Sequence, residues 1–113
     1  MKKIKTKKAI IGLILGTTIM TMPVVASAEE QTINLGGRKK LYKSITYHYD
    51  SADLYTTFYS PSTSHGSKIS GKYNGTAYTY KSGRVSPGST SNAKKQNDRE
   101  TLSTLYGRMS YYE

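Results

Sequence analysis

The sequence predicts an all-β protein, a small antiparallel β-sandwich of two short sheets that are built from hairpins. Aromatic and β-branched residues alternate with polar ones in the period-two pattern that is typical of strands. This pattern covers residues 41–49, 54–59, 68–73 and 76–81. Asn74-Gly75, the favoured pair of a two-residue hairpin turn, separates the last two of these segments. No helical pattern interrupts the first three-quarters of the chain, so the strands define the class.

The N-terminus predicts a secretory signal peptide over residues 1–28. Five lysines within residues 1–8 precede an apolar run over 9–22, and the sequence Ala-Ser-Ala that ends at Ala28 supplies the small residues of a cleavage site. The apolar run has 14 residues. This is fewer than the roughly 20 that a membrane-spanning helix requires. We therefore expect cleavage after Ala28 and a secreted, extracellular mature domain over 29–113.

The mature domain is basic and lacks cysteine. Of the 17 lysine and arginine residues, five lie in the predicted signal peptide, which leaves 12 against 7 acidic residues and a net charge of +5. This excess favours anionic partners such as cell-wall polymers, lipid phosphates or a membrane surface. Export argues against nucleic acid as a partner. Without disulfides, so small a domain depends on packing of its 11 tyrosines, on strand pairing, on self-association or on a ligand.

The Asn-Gly turn fixes the register of the hairpin that surrounds it. Tyr73 is expected opposite Thr76 and Gly71 opposite Tyr78, and side chains at alternate positions share a face. One face is aromatic and carries Ile69, Tyr73, Tyr78 and Tyr80. The other face is basic and carries Lys68, Ser70, Lys72, Ala77, Thr79 and Lys81.

The remaining segments show weaker patterns. Three are expected to be irregular: 29–40 as a polar lead-in, 50–53 as a turn and 60–67 as a loop. Residues 82–100 are rich in Ser, Gly, Asn and Lys, which predicts a long flexible loop or a short strand around Val85. The last segment, 101–112, fits either a helix, from the spacing of its leucines, or a terminal strand, from its Ser, Thr and Tyr content.

The residues available for catalysis are few, and we expect no enzyme. The chain has no cysteine, no G-x-S-x-G motif and only 7 acidic residues. His48 and Asp50 could place two metal ligands on one side of a strand, but pairs of this kind are mostly incidental on protein surfaces. The sequence therefore predicts no catalytic residue, no metal site and no cofactor.

A binding surface is the better-supported expectation. The loop that contains His65 offers hydroxyls and backbone N–H groups next to a glycine, a combination that can hold an anion, and lysines follow it. The alternative interpretation is that this loop is an ordinary solvated connector with no ligand. Exposed tyrosines could stack on sugars or lie at a membrane interface. The candidate contact region is Tyr55, Tyr59, His65, Gly66, Ser67, Lys68 and Lys72. We expect His65 to fix the loop by hydrogen bonding rather than to transfer a proton.

Several motifs resemble the lactococcin-972-type bacteriocins. They are the Gly-Gly pair at 36–37, the sequence S-A-D-L-Y-T-T-F-Y at 51–59, H-G-S-K at 65–68 and M-S-Y-Y at 109–112, behind a signal peptide. The resemblance covers most of 36–112 loosely. It implies a secreted, unmodified antibacterial β-sandwich protein that binds lipid II, the membrane-anchored cell-wall precursor, and blocks septum formation without making pores. Members commonly carry tryptophan after the Gly-Gly pair and near the C-terminus, and this chain has none.

The expected function is therefore that of a secreted antibacterial protein that binds a cell-wall precursor such as lipid II. The alternative is a secreted adhesin or host-directed effector that uses the same tyrosine and lysine side chains on a protein or glycan. A homodimer joined through a strand edge, an immunity protein and an exporter are compatible partners.

Overall fold

The computed structural model describes residues 27–113, which form seven strands and one short helix. The elements are β1 (Ser27–Asn34), β2 (Lys40–Tyr47), β3 (Ser51–Tyr59), β4 (Gly66–Tyr73), β5 (Thr76–Lys81), β6 (Thr90–Asp98), α1 (Leu102–Gly107) and β7 (Met109–Tyr112). The strands make two antiparallel sheets, in the orders β1-β2-β3-β6 and β5-β4-β7. The predicted all-β class is confirmed. The predicted signal peptide lies outside the described residues, apart from Ser27 and Ala28 at the start of β1.

The inner faces of the two sheets enclose the core. Ile45 and Leu54 of the four-stranded sheet pack with Ile69 and Met109 of the three-stranded sheet, and Leu105 of α1 closes one side. All five side chains are buried. Burial of each contributes about 1.5–3 kcal/mol. This core is small, as the composition of the chain requires.

Aromatic side chains extend the core beyond its aliphatic residues. Phe58 of β3 is fully buried and stacks on Tyr111 of β7, with ring centroids 4.1 Å apart and an angle of 17° between the ring planes. His65 meets the edge of the Phe58 ring at a centroid distance of 5.2 Å. These contacts join β3, β7 and the segment before β4 across the two sheets.

The predicted hairpin forms with the predicted register. Tyr73 pairs with Thr76 and Gly71 with Tyr78, while Asn74 and Gly75 have φ angles of 52° and 77°. Both values lie in the left-handed region that a type I′ turn demands. A Cβ atom on residue 71 would overlap the side-chain oxygen of Asn97, so only glycine fits at this position.

Strand β6 contradicts the prediction of a loop over 82–100. Its buried positions are Ser91, Ala93 and Asn97, which form no apolar pattern but let β4 approach closely, and Lys95 points to the same side. The hydroxyls of Ser67 and Ser91 are 2.7 Å apart across the two sheets. Val85, where a short strand was the alternative, makes only an isolated bridge with His65. Close packing of small polar residues thus replaces the apolar alternation that marks most strands.

The prediction of an irregular lead-in over 29–40 is also wrong for its first residues, because β1 extends to Asn34. This strand pairs with β2 along its whole length, from Ser27 opposite Tyr47 to Asn34 opposite Lys40. Gly36, Gly37 and Arg38, all with positive φ, then turn the chain into β2. The chain bends at 49–50, before the predicted turn over 50–53, because β2 ends at Tyr47 and residues 51–53 already belong to β3. The predicted loop over 60–67 is confirmed only up to His65, since β4 begins at Gly66.

The C-terminal segment contains both of the structures that its sequence allows. The Thr101 hydroxyl caps α1 by accepting a hydrogen bond from the Thr104 N–H, and β7 follows directly. The Lys43 ammonium donates a hydrogen bond of 2.9 Å to the Tyr106 carbonyl of α1, and burial lowers the pKa of this lysine. Within residues 27–113, no helix is long and apolar enough to cross a membrane.

Candidate binding surfaces

The structure divides the predicted contact region between two sides of the sandwich. Leu54 and Phe58 of β3 point inward, so Tyr55 and Tyr59 lie on the outer face of the four-stranded sheet. Along β4, where Ile69 is buried, the same alternation places Lys68 and Lys72 on the outer face of the three-stranded sheet. A single small ligand therefore cannot contact these tyrosines and these lysines together.

His65 lies between these faces and is fully buried. Its Nδ1 is 2.8 Å from the Thr63 carbonyl oxygen, and its Nε2 is 2.8 Å from the Ser89 carbonyl oxygen. A carbonyl oxygen accepts only from a ring nitrogen that carries its proton, so the neutral ring satisfies one carbonyl and the imidazolium both. Two backbone hydrogen bonds with Val85 hold the same segment. This geometry suits a side chain that fixes the loop.

Gly66 and Ser67 are also buried and shape the start of β4. A Cβ atom on residue 66 would overlap the Tyr112 ring, which lies directly over this glycine. The Ser67 N–H donates to the Ser82 hydroxyl at 3.0 Å, and its own hydroxyl contacts Ser91. Of the seven predicted site residues, only Tyr55, Tyr59, Lys68 and Lys72 have side chains that solvent reaches.

The outer face of the three-stranded sheet is strongly basic, and we call it the basic face: Lys68, Lys72, Lys81, Arg84 and Tyr112. Lys68 and Lys81 pair directly across β4 and β5. The Lys81 Nζ and the Arg84 guanidinium carbon lie 5.2 Å and 5.4 Å from the Tyr112 ring centroid. Cation–π contacts of this kind hold both charges at the surface.

None of the salt bridges within 27–113 involves Lys68, Lys72 or Lys81. The three ion pairs within 27–113 join Lys39 to Glu113, His48 to Asp53 and Arg108 to Glu100. Like charges placed directly opposite each other destabilise a sheet. The lysine pair thus costs stability unless an anion lies against it.

Sequence reasoning identified the basic face only in part. The hairpin register alone places Lys68, Lys72 and Lys81 on one side. Arg84 and Tyr112 join them through the pairing of β4 with β7 and through the Arg84 side chain, which donates to the Ser64 and Glu113 carbonyls. Nothing in the local sequence indicates these long-range contacts.

The outer face of the four-stranded sheet carries a second surface, the tyrosine face, which is Tyr42, Tyr55 and Tyr59. Tyr42 pairs opposite Thr57 and so lies between the other two tyrosines. The rings of Tyr42 and Tyr55 meet edge to face with centroids 6.3 Å apart, and Tyr55 is 37% exposed. Burial raises the pKa of the Tyr42 phenol. This face offers stacking surface, with the exposed Lys40 and Lys94 directly opposite Tyr59 and Tyr55.

A third feature is an open cleft of about 400 Å³ beside the hairpin, which we call the edge cleft. It is lined by Tyr73, Thr76, Ala77, Tyr78, Lys95 and Gln96. The Tyr78 hydroxyl donates to the Asn97 side-chain oxygen at 2.9 Å. Burial raises the pKa of Tyr78 to about 12, so this phenol is uncharged at neutral pH.

The two histidines take no part in a cluster of metal ligands. His48 Nε2 lies 2.9 Å from an oxygen of Asp53, rather than joining Asp50 as the sequence pattern suggested. Within residues 27–113, no three His, Asp or Glu side chains come together.

The Glu100–Arg108 pair makes stability depend on pH. The Glu100 carboxylate accepts two hydrogen bonds from the Arg108 guanidinium, at 3.1 Å and 2.9 Å, and one from the Asn97 amide at 3.0 Å. These hydrogen bonds lower the pKa of Glu100 below its ordinary value of 4.5. A lowered folded-state pKa gives stability that is present above pH 4.5 and is lost as the pH falls through the folded-state value. Urea unfolding at pH 7 and pH 3 should therefore show a smaller pH-dependent loss in Glu100→Gln than in the unmodified protein. An equal loss in both would contradict this account.

No protein-family model, curated protein or solved structure matches this chain.

Proposed function

We propose that the protein is a secreted antibacterial protein that binds an anionic cell-wall precursor such as lipid II and inhibits septum and cell-wall synthesis in related bacteria. The observation that carries the proposal is the basic face, where Lys68 and Lys81 lie opposite each other with no carboxylate partner among the described residues. The resemblance of several motifs to those of lactococcin-972-type bacteriocins supports the same proposal.

The chemistry of the precursor complements this face. Lipid II presents a pyrophosphate at the membrane surface, and lysine and arginine side chains supply the charge and the donors that phosphate oxygens accept. Each such side chain near an anionic membrane surface contributes about 1 kcal/mol. Tyr112 lies between Lys81 and Arg84 at one end of the face, and its ring and hydroxyl suit a membrane interface. A precursor held in this way is withheld from the enzymes that polymerise it.

A second candidate function is adhesion to a glycan or protein surface, by an adhesin or a host-directed effector. It is favoured by the tyrosine face, where Tyr55 stays exposed on the side of the sandwich away from the basic face. The two functions use different faces, so charge changes on the basic face should separate them.

The proposal is tested by inhibition of growth. The protein is purified from the culture medium of an expressing strain, where we expect an N-terminus at Glu29, and is spotted on lawns of related bacteria. A clearing zone is expected, and added lipid II should abolish it while an uncharged polyprenol of the same length should not. Folded protein that inhibits no strain would contradict the proposal and favour adhesion. Hydrolysis of peptidoglycan by the same sample would point to an enzyme instead.

A further inference from the structure

We propose that the edge cleft is a binding site for a carboxylate-bearing saccharide. The site lies at the side of the sandwich and shares no residue with the basic face or the tyrosine face. The proposal therefore does not rest on the antibacterial function.

The cleft lies beside two edge strands, β5 of the three-stranded sheet and β6 of the four-stranded sheet. On the inner side of β5, the rings of Tyr78 and Tyr80 face the Lys95 ammonium of β6. Tyr78 is partly buried and also packs against the apolar core. Tyr73 and Tyr80, which belong to the predicted aromatic face, remain 37% and 40% exposed. The cleft is thus lined by the exposed Tyr73 and the partly buried Tyr78.

The charge of the cleft comes from Lys95. Its Nζ lies 5.4 Å from the Tyr78 ring centroid and 5.6 Å from that of Tyr80, and it forms none of the ion pairs within 27–113. Cation–π contacts at such exposed sites are weak, so the ammonium can also bind a ligand anion. A ligand that covered Lys95 without a negative group would bury an unpaired charge, which is costly.

The other lining groups favour a sugar as the carrier of this anion. The rings of Tyr73 and Tyr78 offer apolar faces for the C–H surface of a pyranose. The Thr76 hydroxyl and the Gln96 amide are neutral groups that can exchange hydrogen bonds with its hydroxyls. A volume of about 400 Å³ is within the range of small-molecule sites. An acidic peptide would supply the carboxylate but would leave these neutral groups less well matched.

The test uses the folded, exported protein with isotope labelling. Tetrasaccharides of hyaluronan and of polygalacturonate are titrated and compared with the uncharged tetramer of N-acetylglucosamine. At least one carboxylated tetrasaccharide should shift the amide signals of Tyr73, Tyr78 and Lys95. Its dissociation constant should be at least tenfold lower than that of the uncharged tetramer.

Two variants with the same change of charge serve as test and control. Lys95→Gln should weaken binding of the carboxylated saccharide about tenfold, while Lys68→Gln on the basic face should change it less than twofold. Lys95→Gln should keep its thermal midpoint and its binding of lipid II, so failure here is separable from failure of the antibacterial proposal. Any one of three results would overturn the inference. The charged and uncharged sugars could bind equally, the amide signals of the cleft could fail to shift, or a Glu-rich peptide could bind there while neither acidic sugar does.

Discussion

Replacing Asn97 with aspartate is expected to lower the free energy of unfolding by about 2–4 kcal/mol, although the side chain keeps its size and shape. Asn97 is fully buried, and its Oδ1 accepts hydrogen bonds of 2.9 Å from the Lys72 N–H and the Tyr78 hydroxyl. Its Nδ2 donates to the Asp98 carbonyl at 2.9 Å and to the Glu100 carboxylate at 3.0 Å. Aspartate would turn that donor into an acceptor that faces two other acceptors, one of them charged.

The matched control is Asn92→Asp, because Asn92 lies on the exposed side of the same strand. Urea denaturation at pH 7 should show a change of less than about 0.5 kcal/mol for this variant. If the two aspartate variants lose the same stability, the loss is a general effect of charge on β6. The hydrogen bonds of Asn97 would then not be what joins the hairpin to the four-stranded sheet.

His65→Ala is expected to lower the free energy of unfolding by about 2–4 kcal/mol. The substitution removes both ring nitrogens, so neither the Thr63 nor the Ser89 carbonyl can accept a hydrogen bond from this side chain, and it opens a cavity beside Phe58. It should also speed hydrogen exchange at the Val85 N–H, which donates to the His65 carbonyl at 2.8 Å. Denaturation and exchange measured on one sample test both effects.

His48→Ala is the control for this prediction. The His48 side chain is 40% exposed and contacts only Asp53 among the described ion pairs. An exposed pair of this kind contributes about 0–1 kcal/mol. Equal losses for the two histidine variants, or unchanged exchange at Val85, would show that His65 does not anchor the loop.

The strands that the sequence predicts are those with local determinants. The hairpin of β4 and β5 depends on Asn74-Gly75 and on alternating tyrosines, which all lie within a few residues of one another. β6 has its determinants elsewhere, because Ser91 and Asn97 fit only against β4, more than 20 residues away. A pattern of Ser, Ala, Asn and Lys does not reveal a strand until that partner is known.

The candidate site follows the same rule. Lys68 and Lys72 share a face because they are four positions apart on one strand, an even number, and the sequence grouped them correctly. Tyr55 and Tyr59 are close to them in sequence, but β3 belongs to the other sheet. Which strands share a sheet depends on long-range pairing, so proximity along the chain was a poor guide to proximity on the surface.

Binding to the precursor in a membrane tests the central claim most directly. Neutral phosphatidylcholine vesicles are prepared with and without lipid II, and binding is measured for two double variants of equal net charge. Lys68→Glu/Lys81→Glu reverses the basic face, and Lys40→Glu/Lys94→Glu reverses two exposed lysines on the opposite outer face.

The unmodified protein should bind only the vesicles that contain lipid II. Since a hydrogen bond to a charged group contributes about 1.5–3 kcal/mol, reversal of the basic face should weaken binding at least about tenfold. The other double variant should bind within about threefold of the unmodified protein. Equal weakening by both variants, or greater weakening by Lys40→Glu/Lys94→Glu, would contradict a precursor site on the basic face.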